Sequence, residues 1–335
     1  MKKILYIGNN LKNSKSNLSG IQILGPLLEN EGYFIHYASS KTNKVLRLLD
    51  MIKSCFKYSK IVDIVLIDTY STQNFYYAWT ISKICRLYNI PYIPILHGGN
   101  LPKRLKSHRK KSEYIFSNAI FNVAPSLYLK KEFNHHGYDN VRFIPNTLNI
   151  ENYNYIEKDF TCPKLLWVRS FSKIYNPQLA IKVLKLLKET YPNAQLCMVG
   201  PDSDGSLKEV KSLAFSLNVD VKITGKLTKQ EWIDLSKNYN VFINTTNFDN
   251  TPVSVIEAMA LGLPVVSTNV GGMPFLIENG HNGILVEPKD EQQMTKAIIE
   301  ILNNDIKRRD IIKNARIKVE QFDWQKVKKL WSEVL

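Results

Sequence analysis

Cysteine is scarce in this chain. Four occur in 335 residues (Cys55, Cys85, Cys162 and Cys197), scattered, with no C-x-x-C pair and no histidine at ligand spacing. That pattern argues against a disulfide framework or a structural zinc and fits a reducing cytoplasmic compartment. Long apolar runs are also missing, since none approaches the ~18 uninterrupted residues that a spanning helix needs. Residues 1–8 begin like a signal peptide, but the apolar run is short and meets Asn9 and Asn10 at once, so it reads as a first strand. No G-x-G-x-x-G follows that strand. No acid ends the second strand either, where Ala38, Ser39 and Ser40 stand, so a dehydrogenase reading is weak. No Ser/His/Asp or Cys/His set stands out, and no cluster of acids is spaced for Mg²⁺. Acidic residues are few in the first half. Residues 1–150 carry 21 Lys and Arg against 8 Asp and Glu, while residues 151–335 carry 24 against 22. A basic half joined to a near-neutral half implies an anionic surface or acceptor. Charge alone does not choose between nucleic acid and anionic lipid.

What is present is a regular alternation. At 335 residues and 44% hydrophobic content the chain is long enough for two globular domains with real cores. Short β-branched runs at 4–7, 33–38, 61–67, 92–96, 119–124 and 141–144 alternate with helical-period segments such as 21–30, 44–58 and 75–87. The pattern restarts with runs at 164–168, 194–199, 221–224, 241–244, 265–268 and 284–286. Such alternation is the signature of parallel α/β construction. The polar, turn-rich stretch 145–154 between the two halves reads as a linker.

The most informative segment is 247–268. It sets two carboxylates, Asp249 and Glu257, eight positions apart around a helix start. Thr251 suits the N-cap and Pro252 the first helical position. The amides of Val253 and Ser254 then point at whatever sits before the helix, with the positive end of its dipole behind them. Gly262 closes the helix, and a strand follows at once. Such an end suits a phosphate, and Glu257 lies where ribose hydroxyls could reach it.

This segment resembles the retaining glycosyltransferases of family 4, which carry a Glu-x₇-Glu pair, an Ala-Met-Ala run and a Gly-x-Pro-Val-Val strand. The likeness extends to 270–274, 279–286 and the closing helix after Phe322. One departure is that the first acid here is Asp249, not Glu. The resemblance implies an α/β fold of the GT-B type, two Rossmann-like domains facing a central cleft. Residues 1–148 would form an acceptor-binding domain and 149–320 a nucleotide-sugar-binding domain. Residues 321–335 would be a helix crossing back to the first domain. On that helix Trp324, Val327, Leu330, Trp331 and Val334 make an apolar stripe that core packing alone would also explain.

The resemblance also assigns expected roles. Arg169 and Lys173, after the first strand of the second half, would neutralise a donor diphosphate. The family spacing is five or six rather than the four found here, which makes Lys173 the weaker carry-over. Glu257 would hold the ribose, aided by the amides of Val253 and Ser254 on the phosphates. Backbone of Gly225, Lys226 and Leu227 would meet the base. Asp249 would contact the donor sugar or stabilise developing charge, and His97 would hydrogen-bond the sugar from a strand end. Gly98 and Gly99 allow a tight turn after it. The long polar connection 8–20 is expected to be a mobile substrate loop, with Ser19 and Gly20 its candidate phosphate or acceptor contacts. Gly271 and Gly272 either let backbone approach the donor or simply turn the chain, and 200–205 reads as a structural turn. No metal and no cofactor beyond the nucleotide-diphosphate sugar substrate is expected, because the family works without a metal.

Two basic stretches remain. Residues 103–111 pack six cations into nine positions, read as a charged loop, and 44–60 add Lys44, Arg47, Lys53, Lys57 and Lys60 on a helix whose apolar face is Val45, Leu48, Leu49, Ile52 and Phe56. These are either solvated surface or a docking face for anionic lipid, at ~1 kcal/mol per cation. No nucleic-acid reading motif accompanies them. The expectation is therefore a cytoplasmic enzyme, peripheral to a membrane if the basic face docks there. It would move a sugar from a nucleotide diphosphate to a saccharide or lipid-linked acceptor in envelope polysaccharide or glycolipid synthesis. The alternatives are a nucleotide-sugar epimerase on the same fold and a catalytically silent subunit that docks membrane or partner.

Overall fold

Strands that are apolar on both faces pair in parallel and leave their carboxyl ends free for a site. Both halves of this chain are built that way in the computed structural model, which describes residues 1–11 and 18–335. The chain divides into two units, one formed by Met1–Pro145 with Lys328–Leu335, the other by Asn146–Val327.

The first unit runs β1 (Lys3–Ile7), α1 (Gly20–Asn30), β2 (Phe34–Ala38), α2 (Lys44–Tyr58), β3 (Ile64–Tyr70), α3 (Asn74–Leu87), β4 (Tyr92–His97), α4 (Leu101–Ser107), α5 (Arg109–Phe116), β5 (Asn122–Ala124), α6 (Leu127–His135) and β6 (Val141–Phe143). Its six parallel strands lie in the order β2-β1-β3-β4-β5-β6. The order reverses between β1 and β3, so the loops after these strands open a crevice at the carboxyl edge. Register puts Ile7 beside Ala38 and Tyr70 beside His97.

The second unit runs β7 (Lys164–Val168), α7 (Pro177–Thr190), β8 (Gln195–Val199), α8 (Ser206–Ser216), β9 (Lys222–Gly225), α9 (Lys229–Ser236), β10 (Val241–Asn244), α10 (Val253–Ala260), β11 (Val265–Thr268), α11 (Met273–Leu276), β12 (Ile284–Val286), α12 (Glu291–Asn303) and α13 (Asp305–Val319). Helix α14 (Trp324–Val334) closes the chain. The sheet order is β12-β11-β10-β7-β8-β9, with its switch between β7 and β10. Each unit has its own apolar core, built around Leu5, Ile67 and Phe75 in the first and around Trp167, Leu184 and Ile243 in the second.

Four expectations need correction. The third strand is Ile64–Tyr70 rather than 61–67, because the amides of Ile61 and Val62 still bond the Tyr58 carbonyl and finish the turn after α2. The fifth strand is only Asn122–Ala124, since Asn140 ties down the carbonyls of Phe116 and Ala119 before it. The basic stretch 103–111 is not a loop but lies on α4 and α5, which break at His108. Helix α2 buries only part of the face expected, with Leu48 and Ile52 half-buried against the core. It buries Met51, Cys55 and Arg47, whose guanidinium donates to the carbonyls of Lys41 and Thr42 and to Asn9, while Val45, Leu49 and Phe56 stay exposed. Of the connection 8–20, residues 12–17 lie outside the described residues. Among the described residues no helix is long and apolar enough to cross a membrane.

Candidate active site

Within each unit, loops at the carboxyl edge of the sheet carry most of the polar side chains singled out above. In the second unit, Arg169 follows β7 directly, and its amide donates to the Val199 carbonyl (3.0 Å). Its guanidinium pairs with the Asp249 carboxylate and lies over the Tyr175 ring at 4.5 Å. Burial lowers its pKa, and the Tyr175 ring works the other way. The Arg169 Nε is buried with no hydrogen-bond partner among the described residues, a donor left available in an otherwise closed arrangement.

Asp249 sits in the turn that leads into α10. Its Oδ1 accepts the Asn250 amide (2.8 Å) and its carbonyl accepts the Gly272 amide (2.8 Å). Both glycines of the 271–272 pair are needed for this approach. A Cβ on Gly271 would fall 2.2 Å from the Asp249 carbonyl oxygen, and one on Gly272 would fall 1.6 Å from that of Asn250. The pair seats the acid-bearing turn.

Helix α10 starts one residue later than expected. Pro252 is its N-cap and Thr251 caps nothing, because Pro252 holds an extended backbone (ψ 123°) rather than the first helical turn. Val253 and Ser254 are then the first two helical residues, and their amides have no partner within the helix. One turn on, Glu257 is buried. It accepts the Tyr153 hydroxyl (3.0 Å) and pairs with the Lys229 ammonium. Burial raises Tyr153 to about 12, so its hydroxyl remains a donor. Burial also lowers Lys229 to about 8, and the carboxylate against it opposes that shift. More than half of the Lys229 side chain is exposed, which limits the cost of holding its charge against Glu257.

Lys173 stands apart. Its side chain is exposed, 3.7 Å from Glu209, and its backbone amide donates to Asp204. Gly225 ends β9 with a positive φ of 74° and accepts the Gly200 amide (2.8 Å), while Lys226 and Leu227 follow it. Gly200 abuts the Arg169 carbonyl, where a Cβ would come within 1.8 Å.

In the first unit, His97 ends β4 and its Nε2 lies 2.8 Å from the Asp68 carboxylate. The ring stacks on Tyr70 with centroids 4.7 Å apart. Gly20 opens α1 rather than hanging in a loop, and Ser19 stands at its N-cap, its amide donating to the Gln22 side-chain oxygen and its hydroxyl to the Asn9 carbonyl (2.7 Å). Gly98 takes a positive φ of 86° and, with Gly99, turns the chain from β4 into α4.

Composition and motif left three participants unseen. Asp68 was hidden by ending its strand at 67, although an acid at the carboxyl end of an apolar strand was the available signal. Lys229 and Tyr153 lie 28 and 104 positions from Glu257, and no local pattern announces either pairing.

Comparison with known proteins bears on both units. Residues 154–318 match the model of the glycosyl transferases group 1. The chain is 24% identical over 257 residues to an uncharacterized glycosyltransferase of Methanocaldococcus jannaschii, covering 73% of this chain and 69% of that one. It is 27% identical over 161 residues to the capsular polysaccharide biosynthesis glycosyltransferase CapM of Staphylococcus aureus, covering 46% of this chain and 42% of CapM, less than half of that relative. The solved structure of HepE from Anabaena, in complex with UDP and glucose, superposes with a TM-score of 0.80 at 18% identity, over 100% of this chain and 99% of that one. The fold is therefore GT-B.

Proposed function

The chain belongs to the glycosyl transferases group 1 through residues 154–318, and on that premise we propose that it transfers a hexose from a nucleoside diphosphate sugar to a saccharide or lipid-linked hydroxyl. The reaction breaks the bond between the anomeric carbon and the diphosphate, joins that carbon to the acceptor oxygen, and passes the acceptor proton to the leaving phosphate. The observation that carries this reading is the arrangement around α10. An arginine with a free buried donor and two unpaired helix amides offer positive charge where a diphosphate leaves. The buried Glu257 stands one turn deeper as an acceptor for ribose hydroxyls. Asp249, already against Arg169, is suited to balance charge that develops on the sugar. Backbone of Gly225, Lys226 and Leu227 would meet the base, and Lys173 would reach the phosphates only by leaving Glu209.

We read the transfer as metal-independent, because the cationic and amide groups of this chain can take the role a divalent ion would otherwise have on the diphosphate, and as retaining on the resemblance to family 4 alone. Transfer from a labelled sugar nucleotide should continue in excess chelator, yield a product with the donor's anomeric configuration by NMR, and fall steeply in Glu257→Gln. Turnover that needs a divalent ion, or a product of inverted configuration, contradicts this part. Free sugar-nucleotide epimer without transfer supports the epimerase alternative.

The exposed face of α2 favours an envelope or glycolipid acceptor at the cytoplasmic face of a membrane. It presents Val45, Leu46, Leu49 and Phe56 among Lys44, Lys53 and Lys57, with Lys60 just beyond its end, the mixture of an interfacial helix. Vesicles rich in anionic lipid should retain the protein at low salt and lose it after Leu46→Glu with Leu49→Glu. Equal retention on neutral vesicles would remove the electrostatic part of the argument.

A further inference from the structure

Behind His97 lies a carboxylate that the transfer reading does not use. Asp68 is fully buried at the carboxyl end of β3 and is met by three donors: the Tyr6 hydroxyl (3.1 Å), the Ile21 amide at the start of α1 (3.2 Å) and His97 Nε2 (2.8 Å). Burial, reinforced by Asp68 itself, raises the Tyr6 pKa well above its ordinary value, so this hydroxyl donates and does not compete for the proton. Space for the arrangement is made by two glycines. A Cβ on Gly8 would fall 2.5 Å from Asp68 Oδ2, and one on Gly20 would fall 2.8 Å from His97 Cε1 and 3.3 Å from Asp68 Oδ1. Tyr70 stacks on the imidazole and fixes its plane.

We propose that Asp68 is a positioning residue that holds His97 with the proton on Nε2, so that Nδ1 presents a lone pair to substrate. A carboxylate receiving three donors can only accept, which assigns the shared hydrogen to Nε2. Nδ1 has no hydrogen-bond partner among the described residues, and 15% of the side chain reaches solvent. His97 therefore accepts a hydrogen bond from a hydroxyl, whether of the donor sugar or of the acceptor, and does not donate one to a substrate oxygen. This rests on the transferase reading for its substrate, but the tautomer itself does not.

The test is long-range ¹H–¹⁵N correlation on histidine-labelled protein at about pH 8.5, above the ordinary imidazole range, with His97→Asn identifying the signal. The wild type should show a protonated Nε2 and a bare Nδ1, and Asp68→Asn should lose that preference. A protonated Nδ1 in the wild type, or an unchanged tautomer in Asp68→Asn, overturns the proposal. If Asp68→Asn does not fold, the wild-type spectrum still decides. With UDP-glucose and the other common sugar nucleotides as probes, Asp68→Asn should lower kcat about 10- to 100-fold, the range for groups that orient a functional histidine. It should do so with little change in donor KM, and pairing it with His97→Asn should add nothing further. Additive losses would make Asp68 merely structural and overturn the proposal. Loss of both donor hydrolysis and transfer would place the hydroxyl on the donor, and loss of transfer alone would place it on the acceptor. Absence of any turnover in the wild type would sink the transferase reading while leaving the tautomer result to stand.

Discussion

Replacing Gly272 by alanine tests how the acid-bearing turn is seated. The new Cβ would lie 1.6 Å from the Asn250 carbonyl oxygen, with that residue's carbonyl carbon at 2.6 Å and its Cα at 3.1 Å. All three are backbone atoms, so no rotamer change relieves the contact. To reach ordinary van der Waals distance the two segments must part by about 1.8 Å, several times the ~0.5 Å tolerance of a working site. The backbone φ of Gly272 is −85°, acceptable to alanine, so the cost is steric rather than conformational. Overpacking of this kind costs about 1–3 kcal/mol, or about 2–12 °C in a unit of this size. The separation would break the bond from the Gly272 amide to Asp249 and pull Asp249 from Arg169. Gly280→Ala supplies the matched control. Gly280 has a φ of 78° with nothing within 4 Å of a built Cβ, so alanine there costs about 1–2 kcal/mol through backbone strain alone. Both variants should melt lower in calorimetry, but only Gly272→Ala should lose nucleotide-dependent stabilisation and turnover. A Gly272→Ala protein that melts with the wild type and turns over normally would mean that Gly272 does not seat the Asp249 turn.

Arg169→Ala should destabilise the second unit by about 2 kcal/mol, less than a fully buried pair would cost, because the Arg169 and Asp249 side chains keep 20% and 12% exposure. Asp249→Asn should cost less, since the amide oxygen can still accept the Asn250 amide. Melting temperatures, with the double variant closing the cycle, check both. Lys158 donates to the Ser236 carbonyl (2.9 Å), and burial, with Lys237 nearby, lowers it to about 8 from an ordinary 10.5. Between those values the unfolded chain binds more protons than the folded one. The charged lysine is thus a burden fully present below about pH 8, and stability should rise with pH through that window. Lys158→Met should flatten that rise in melting curves between pH 7.5 and 10, and an unchanged slope would count against it.

The sheets were legible because parallel strands advertise themselves as continuous β-branched runs. The segments at 164–168, 241–244, 265–268 and 284–286 coincide with β7, β10, β11 and β12. What failed was decided at longer range. Residues 61 and 62 look like strand but complete the turn after α2, and Asn140 takes the Ala119 carbonyl just before β5. Thr251 is a good cap by type, yet Pro252 takes the position. Arg47, expected among the surface cations of this helix, is buried because backbone carbonyls at Lys41 and Thr42 satisfy it. The same logic hid part of the site. Glu257 and Asp249 are announced by their spacing around a helix start, whereas Asp68 and Lys229 matter only through partners brought together by the sheet order.

The most direct test is thermal unfolding with UDP, GDP, ADP and CMP, with NAD as control, in the wild type and in Arg169→Ala. One nucleoside diphosphate should stabilise the wild type selectively, by ~2.7 kcal/mol at about 100 times its dissociation constant, and Arg169→Ala should abolish the effect. If saturating nucleotides leave the wild-type midpoint unmoved, or NAD matches them, the second unit holds no nucleotide-sugar site of the kind argued above.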